Sequence, residues 1–461
     1  MHKILHLDLK GAPMKIPFLE QVLKAAYKWG CTGVLIEWED TFPYTGDIAE
    51  IGSNGTSNGD NMYTREEVKH IIKCTYDLGF DAIQLIQTIG HMEFVLKHPK
   101  FKHLREERKT PSVLCPSRPE SLVLVKDMVR QALDVQPDAR YIHIGADEVW
   151  HIAACDECKK RAIMSEYGVA SLFLEHICEI VAFVKKHAPV RVIVLMWDDM
   201  LRSINVEALK HYKIGDLVQP IIWNYNVKEH FKFPLQMWLS YEQVFTFVWA
   251  GSAFKGANGS SKMVSPIERY ASNQEAWMHL VKNNKHKVSF FGMIFTGWSR
   301  YDHYATMCEL MPVAFPSLAT CMNYWTEIYM KNDDIVIIDD LTDWPGRDLA
   351  EYIMQTLVAL RDQSNNLIHG DMVATWLNPW QVEHSFTSPA QVECIKATSE
   401  ALLSNYKEVE GPLMGLLTTI TGKRSATEWM YTNVTAIVNK IEDIHNIAIQ
   451  RISAGASIKP R

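Results

Sequence analysis

Short apolar runs alternate along the first two thirds of the chain with longer segments whose apolar residues recur every three or four positions. The runs read as strands buried on both faces, and the periodic segments as amphipathic helices that cover them. Eight runs qualify: Ile4 to Leu9, Gly33 to Glu37, Ala82 to Gln87, Tyr141 to Ile144, Arg191 to Met196, Leu217 to Trp223, Val244 to Val248 and Phe290 to Phe295. Eight such units predict an α/β fold, a TIM (β/α)8 barrel. Helix ends are legible too. Thr64-x-x-Glu67 is a capping box with Gly79 as its stop, Pro119 to Leu133 and Ala170 to Lys186 end before Pro137 and Pro189, and Ser265-Pro266 opens Pro266 to Val281. Pro220 inside the sixth run and the irregular text after it predict a bulge or a poorly formed helix.

After about Met330 the alternation stops, and the acidic stretch Asn332 to Gly346 reads as a connector. Leu349 to Leu360, Gln391 to Tyr406 and Thr427 to Arg451 have helical spacing. The expected organisation is a catalytic barrel over residues 1–330 and a C-terminal all-helical domain over 331–461. Thr45 to Met62, rich in Gly, Ser and Asn, reads as a mobile loop or lid.

In such a barrel chemistry sits where strands end, at the C-terminal rim. Asp8 and Lys10 follow the first run, Glu37, Glu39 and Asp40 the second, and His91 the third. Asp147 and Glu148 follow the fourth; Trp197 with Asp198 and Asp199, Trp223 with Tyr225, Trp249, and Trp298 with Asp302 follow the rest. The centre is Tyr141 to Trp150, Y-I-H-I-G-A-D-E-V-W, which delivers two adjacent carboxyls. Side chains of neighbouring residues on an extended backbone point to opposite sides, so the pair is expected to divide its work rather than share one proton.

Composition narrows the class. With 461 residues, 47% hydrophobic and 22% charged, the chain has ordinary globular character. A net charge of -7 and an isoelectric point near 6.2 argue against nucleic-acid binding, which needs a basic stripe. No run approaches the ~18 apolar residues of a membrane span, and the first residues read as a strand rather than a secretory leader. The 9 cysteines, odd in number and scattered, suit a reducing compartment. The expected location is the cytoplasm, with the nucleus as a second site, and the sequons at Asn54, Asn258 and Asn433 are expected to be idle.

His143-x-Gly145-x-Asp147-Glu148 resembles the H-x-G-x-D-E signature of glycoside hydrolase family twenty, the β-N-acetylhexosaminidases, and the flanking text is similar to the hexosaminidase D branch. The same resemblance extends to H-L-D-L-K-G-A-P (His6 to Pro13), Q-T-I-G-H-M-E-F (Gln87 to Phe94), W-D-D-M (Trp197 to Met200), S-A-F-K-G-A (Ser252 to Ala257) and T-G-W-S-R-Y-D-H-Y (Thr296 to Tyr304). It implies retaining, substrate-assisted hydrolysis, in which the sugar's 2-acetamido oxygen attacks the anomeric carbon to form an oxazolinium ion. Glu148 would be the acid and then the base for water, and Asp147 would hold the acetamido N–H and stabilise the growing positive charge. His91, in I-G-H, would link Glu148 to Glu39, with a core histidine as the alternative; His143 is as readily structural. Trp197, Trp223, Trp249 and Trp298 would box the acetamido methyl and the sugar ring.

Three departures from the family pattern stand out. The tyrosine expected after the seventh strand is replaced by W-A-G (Trp249 to Gly251), which leaves Tyr225 as donor to the acetamido oxygen. W-S-R-Y-D replaces W-x-E, so Arg300 or Asp302, the latter preferred, would bind hydroxyls, and Lys10 stands near the usual arginine. These changes leave gluco and galacto sugars open, although hexosaminidase D enzymes lean toward N-acetylgalactosaminides.

C-x-x-C at Cys155 to Cys158 suggests zinc or redox chemistry. Zinc needs a second ligand pair, for which His151 is a poor match, and a redox motif would follow a different strand, so these read as inert thiols. No metal or cofactor is expected. The reading is an exo-β-N-acetylhexosaminidase acting on glycoconjugates or oligosaccharides with terminal β-linked N-acetylgalactosamine or N-acetylglucosamine, with neither nucleic acid nor membrane as partner and a homodimer as the candidate assembly. The rival is a barrel that binds amino sugars without cleaving them.

Overall fold

A computed structural model describes residues 1–53, 60–188, 190–284, 287–325 and 341–455. It divides into two compact units, Met1–Pro345 and Gly346–Arg461. The boundary expected at residue 330, residues 54–59 of the Thr45 to Met62 loop, Pro189, the sequon at Asn54 and most of the acidic connector lie outside the described residues.

The first unit is a closed, all-parallel barrel of eight strands: β1 (His2–Asp8), β2 (Gly33–Glu37), β3 (Asp81–Leu85), β4 (Tyr141–His143), β5 (Ile193–Trp197), β6 (Gln219–Trp223), β7 (Phe247–Lys255) and β8 (Ser289–Gly297). Each strand pairs with its sequence neighbour, and β1 closes the ring against β8 with Ile4 opposite Ile294. Inward-facing positions change character along the strands. Ile4, Leu35, Ile83, Tyr141, Ile221 and Trp249 belong to the apolar filling, whereas His6, Glu37 and His143, two residues nearer the rim than Ile4, Leu35 and Tyr141, are buried and polar. A polar top layer on an apolar plug places the chemistry at one end of the cylinder.

The helices follow from local signals. Thr64 accepts from the Glu67 amide at 3.2 Å, and Glu67 returns the contact to the Thr64 amide at 2.8 Å, so the capping box opens α1's neighbour, α2 (Arg65–Asp77), after α1 (Ile16–Lys28). Further cover comes from α3 (Pro119–Val135), α4 (Val169–His187), α5 (Val206–His211), α6 (Leu235–Val244), α7 (Ile267–Asn284) and α8 (Met311–Asn323). The poorly formed helix expected before β7 is in fact the ten-residue α6, and Val244, expected to open the strand, ends that helix. Its buried Met237, Trp238 and Tyr241 share one face, and the Tyr241 hydroxyl reaches the Asp198 carboxylate at 3.0 Å, so tertiary anchoring replaces the weak local pattern. Leu217 likewise closes a short helix, Ile214–Leu217, instead of opening β6, and Pro220 sits in the strand beside Met196 without breaking it.

The second unit is helical, with α9 (Val358–His369), α10 (Pro389–Ile420) and α11 (Ala436–Ala454). α10 runs past Tyr406 because the apolar spacing continues through Val409, Leu413, Leu417 and Ile420 despite Pro412. Asn433 is buried in the turn preceding α11. Among the described residues no single helix is long and apolar enough to cross a membrane.

Candidate active site

The C-terminal rim surrounds a cavity of about 720 Å³ whose wall includes Lys10, His91, Asp147, Glu148, Trp223 and Trp298. Strand ends alone do not aim these groups. Seven non-glycine residues among those described have positive φ, and Glu39, His91, Ala146 and Glu148 are four of them. Such left-handed backbone is costly and concentrates where surrounding structure fixes it. For Glu148 (φ 51°) the consequence is decisive. The chain turns so that both acids face one imidazole: His91 Nε2 lies 3.4 Å from Asp147 Oδ2 and 3.2 Å from Glu148 Oε2. The expectation that adjacent acids diverge fails because the strand has ended and the backbone is no longer extended.

Electrostatics follow from this contact. Burial disfavours the His91 cation, but Asp147 and the hydrogen bond to Glu148 outweigh it and carry the imidazole to about 10. The same hydrogen bond holds Glu148 below its ordinary range, against its partial burial. Burial lifts Asp147, with His91 opposing and Glu37 and Glu148 reinforcing the rise. The two shifts together favour the proton on His91 over Glu148.

Supporting contacts fix the pair from outside. Gln87 Nε2 donates to Asp147 Oδ1 at 3.1 Å, and Asp199 Oδ2 accepts from the Glu148 amide at 2.8 Å. The other Asp199 oxygen accepts from the Trp223 indole at 3.1 Å, and burial and the charge on Asp147 push this carboxyl up to about 7. Beside them, Lys10 Nζ lies 3.3 Å from Glu37, 3.6 Å from Asp8 and 4.0 Å from Glu39. The rings of Trp197, Trp223, Tyr225 and Trp298 line the wall. Trp223 and Tyr225 stack at 5.1 Å, and the Trp298 centroid lies 6.4 Å from Tyr225 and 5.9 Å from Trp197.

Residues 37–327 match the family described as glycosyl hydrolase family 20, catalytic domain. The chain belongs to glycosyl hydrolase family 20. It is 32% identical over 458 residues to hexosaminidase D of Homo sapiens, covering 95% of this chain and 93% of that one. It is 36% identical over 321 residues to hexosaminidase D of Bos taurus, covering 69% and 90%. A solved β-N-acetylhexosaminidase from Bacteroides fragilis aligns at 18% identity with a TM-score of 0.48, over 65% of this chain and 61% of that one. The chain is thus a hexosaminidase D-like glycoside hydrolase of the β-N-acetylhexosaminidase class.

In this family 20 enzyme, Asp147, Glu148, His91, Lys10, Trp197, Trp223, Tyr225 and Trp298 all reach the cavity, with Asp8 buried just behind Lys10. Three expectations need correction. Trp249 is the third residue of the nine-residue β7, not its end, and its fully buried ring packs at the opposite end of the barrel against His2, Tyr141 and Phe291. The W-A-G that seemed to replace a rim tyrosine is consequently not at the rim. Asp302 is absent from the cavity wall because its Oδ1 accepts from the amides of Tyr304 and Ala305 in a local turn. Arg300 does reach the wall, with its guanidinium held by the carbonyls of Lys10, Gly11 and Ala305. Glu39 pairs with His303 Nδ1 at 3.0 Å instead of joining a chain through His91. It is buried and raised to about 7, desolvation outweighing Lys10 and His303. His143 Nδ1 accepts from the Gly145 amide at 2.9 Å, and burial lowers the ring to about 3.

Sequence reasoning passed over Gln87, Arg202 and His303 as site residues. Arg202 grips Asp198 with its guanidinium, donates to the Trp223 carbonyl at 2.8 Å and covers the Trp223 ring at 5.2 Å. Gln87 opens Q-T-I-G-H-M-E-F, and the signal was its place two residues beyond β3.

Proposed function

We propose that the chain is an exo-acting, retaining β-N-acetylhexosaminidase that releases terminal β-linked N-acetylgalactosamine or N-acetylglucosamine by substrate-assisted catalysis. The convergence of Asp147 and Glu148 on one imidazole at the mouth of an aromatic-walled cavity carries the reading. As substrate displaces water, the ionised form of Glu148 loses solvation and its carboxyl takes the proton from His91 Nε2 across 3.2 Å. Glu148 protonates the glycosidic oxygen as the acetamido oxygen closes on the anomeric carbon. Asp147, held by Gln87, stays ionised, accepts from the acetamido N–H and stabilises the oxazolinium charge. Glu148, now a carboxylate, then removes a proton from the water that opens the ring.

Trp197, Trp223 and Trp298 pack on the methyl and the sugar ring, and the Tyr225 hydroxyl donates to the acetamido oxygen. Burial raises the Tyr225 pKa, so this donor keeps its proton throughout the working range. Lys10 binds hydroxyls, with Asp8 and Glu39 fixing its position. The odd number and scattered placing of the cysteines along the chain support action in a reducing compartment such as the cytoplasm.

The test is hydrolysis of aryl β-N-acetylgalactosaminide and β-N-acetylglucosaminide in the presence of a thiazoline mimic of the cyclised intermediate. Strong competitive inhibition, with loss of turnover in Glu148→Gln, is the expected result. Full turnover in the presence of the mimic excludes the mechanism.

A further inference from the structure

The C-x-x-C motif does acquire a second ligand pair in the folded chain. A hairpin made of Arg105–Glu107 and Thr110–Leu114 brings Glu106 and Cys115 against Cys155 and Cys158, at the N-terminus of the helix Asp156–Met164. One ligand atom from each of the four residues lies within 4.8 Å of the others. Cys115 Sγ is 3.7 Å from Cys155 Sγ and 3.6 Å from Cys158 Sγ, and Cys158 Sγ is 3.2 Å from Glu106 Oε2. A tetrahedral zinc with bonds of ~2.3 Å to sulfur has sulfur–sulfur edges of about 3.8 Å, close to the spacing seen. Cys115, Cys158 and Glu106 are buried and Cys155 is half-buried, and burying two thiols with a carboxylate beside a third thiol has little packing rationale.

Groups that would orient the four ligands are also in place. Glu106 Oε1 accepts from the amides of Ala154 at 2.7 Å and Cys155 at 3.0 Å, which orients the carboxylate. Cys155 Sγ accepts from the Cys158 amide at 3.3 Å, a contact that favours a thiolate at a helix start. Arg161 donates to Ser117 Oγ at 3.2 Å, and Ser117 Oγ lies 2.9 Å from Cys158 Sγ, so a cation stands next to the cluster.

We propose that Cys115, Cys155, Cys158 and Glu106 bind one zinc ion in a closed, structural site that fastens the loop after β3 to the loop after β4. Binding releases the three thiol protons to solvent and involves no change of oxidation state. The consequence for catalysis is positional. Leu114 donates to the Ile89 carbonyl at 2.8 Å and Met92 to the Ser112 carbonyl at 2.9 Å, so the hairpin carries the loop that presents His91. Cys155 and Cys158 lie on the segment that follows Asp147 and Glu148. The ion therefore joins the imidazole's support to that of the acids it contacts.

The experiment uses the full chain, produced in zinc-supplemented medium, desalted and assayed by inductively coupled plasma mass spectrometry. One zinc per chain is expected, and replacement by Co²⁺ should give the thiolate charge-transfer and intense d–d bands of a tetrahedral site. The double variant Cys155→Ser, Cys158→Ser should lose bound zinc at least about tenfold, whereas Cys178→Ser, outside the cluster, should retain it. Removing zinc with a chelator should speed amide exchange in the segments around His91 and Glu148. A metal-free chain lacking the cobalt bands overturns the site. So does a Cys115 disulfide to Cys155 or Cys158 in the freshly purified protein, or metal retained by the double variant. If that variant does not fold, the cobalt spectrum of the unaltered chain decides alone. Unchanged exchange on chelation overturns the fastening role.

Discussion

At the residue scale, the central fact is that Asp147 and Glu148 share an imidazole, and this gives the pH dependence its form. In the mechanism proposed above, productive enzyme needs Asp147 ionised and one proton held by the His91–Glu148 pair. Because burial raises Asp147, kcat/KM should fall on the acidic side at a pH above the usual aspartate value of about 3.9. On the alkaline side, activity should fade as the pair loses its proton, near the value of about 10 that His91 reaches between its two acids. His91→Gln removes that reservoir, and Glu148 alone must then keep the proton. The alkaline limb of a kcat/KM profile should move down by several units, and an unmoved limb would refute the proton's placement. Asp199 acts one step further out as a positioning residue. Asp199→Ala frees both the left-handed Glu148 backbone and the Trp223 indole, so kcat should drop about 10²-fold with a smaller change in KM. Steady-state rates on an aryl substrate, beside an unchanged melting temperature, check this.

At the scale of elements, two loops and one strand decide where the residues arrive. A Cβ on Gly90 would stand 2.0 Å from the Asp147 carbonyl oxygen, so the loops after β3 and β4 touch backbone to backbone. Gly90→Ala should force them apart and lower kcat by at least tenfold, with the protein still folded by circular dichroism. Trp249 and Trp223 offer the converse contrast. Trp249→Ala, at the far end of the barrel, should cost about 3–5 kcal/mol of stability and leave KM alone, whereas Trp223→Ala should raise KM. Denaturant titration and substrate saturation of the two variants separate these effects. The same contrast shows what the sequence could and could not reveal. Hydrophobic runs located all eight strands, because period and burial are written residue by residue, and the rim rule collected most of the wall. Strand length was not legible: nothing in V-F-T-F-V-W-A-G-S-A-F-K marks where pairing starts, so Trp249 was placed at the wrong end. Side-chain aim was not legible either, since Glu148's positive φ and Glu39's pairing with His303 depend on residues distant in the chain. Cys115 and Glu106 escaped notice for the same reason: the hairpin that delivers them is separated from C-x-x-C by a helix and a barrel strand.

At the scale of the whole barrel, closure and chemistry meet at one seam. β1 must find β8 almost the full length of the domain away, and polar contacts at the rim fasten the junction. Asp8 accepts from the Ser299 amide at 2.8 Å, the Lys10 carbonyl accepts from Arg300 at 3.1 Å, and Lys10 Nζ sits 4.8 Å from the Trp298 ring centroid. Burial works against the Lys10 cation, yet Asp8, Glu37 and Glu39 together raise its pKa well above the ordinary lysine value. Glu37 is correspondingly held well below the carboxylate range, with Lys10 and His6 overcoming its burial. The signs set a stability window. The lysine's raised pKa contributes stability that is complete below the unfolded value of about 10.4 and is lost as pH rises through the folded value. The glutamate's depressed pKa contributes stability present above the unfolded value of about 4.3 and lost as pH falls further. Lys10→Met removes the cation that both effects require and leaves buried carboxylates facing one another. It should cost about 3–5 kcal/mol near pH 8 and recover part of that loss on mild acidification, as Glu37, no longer held ionised, takes up a proton. Melting temperatures measured from pH 5 to pH 9 test the seam directly, since a loss independent of pH would mean that Lys10 contributes packing alone.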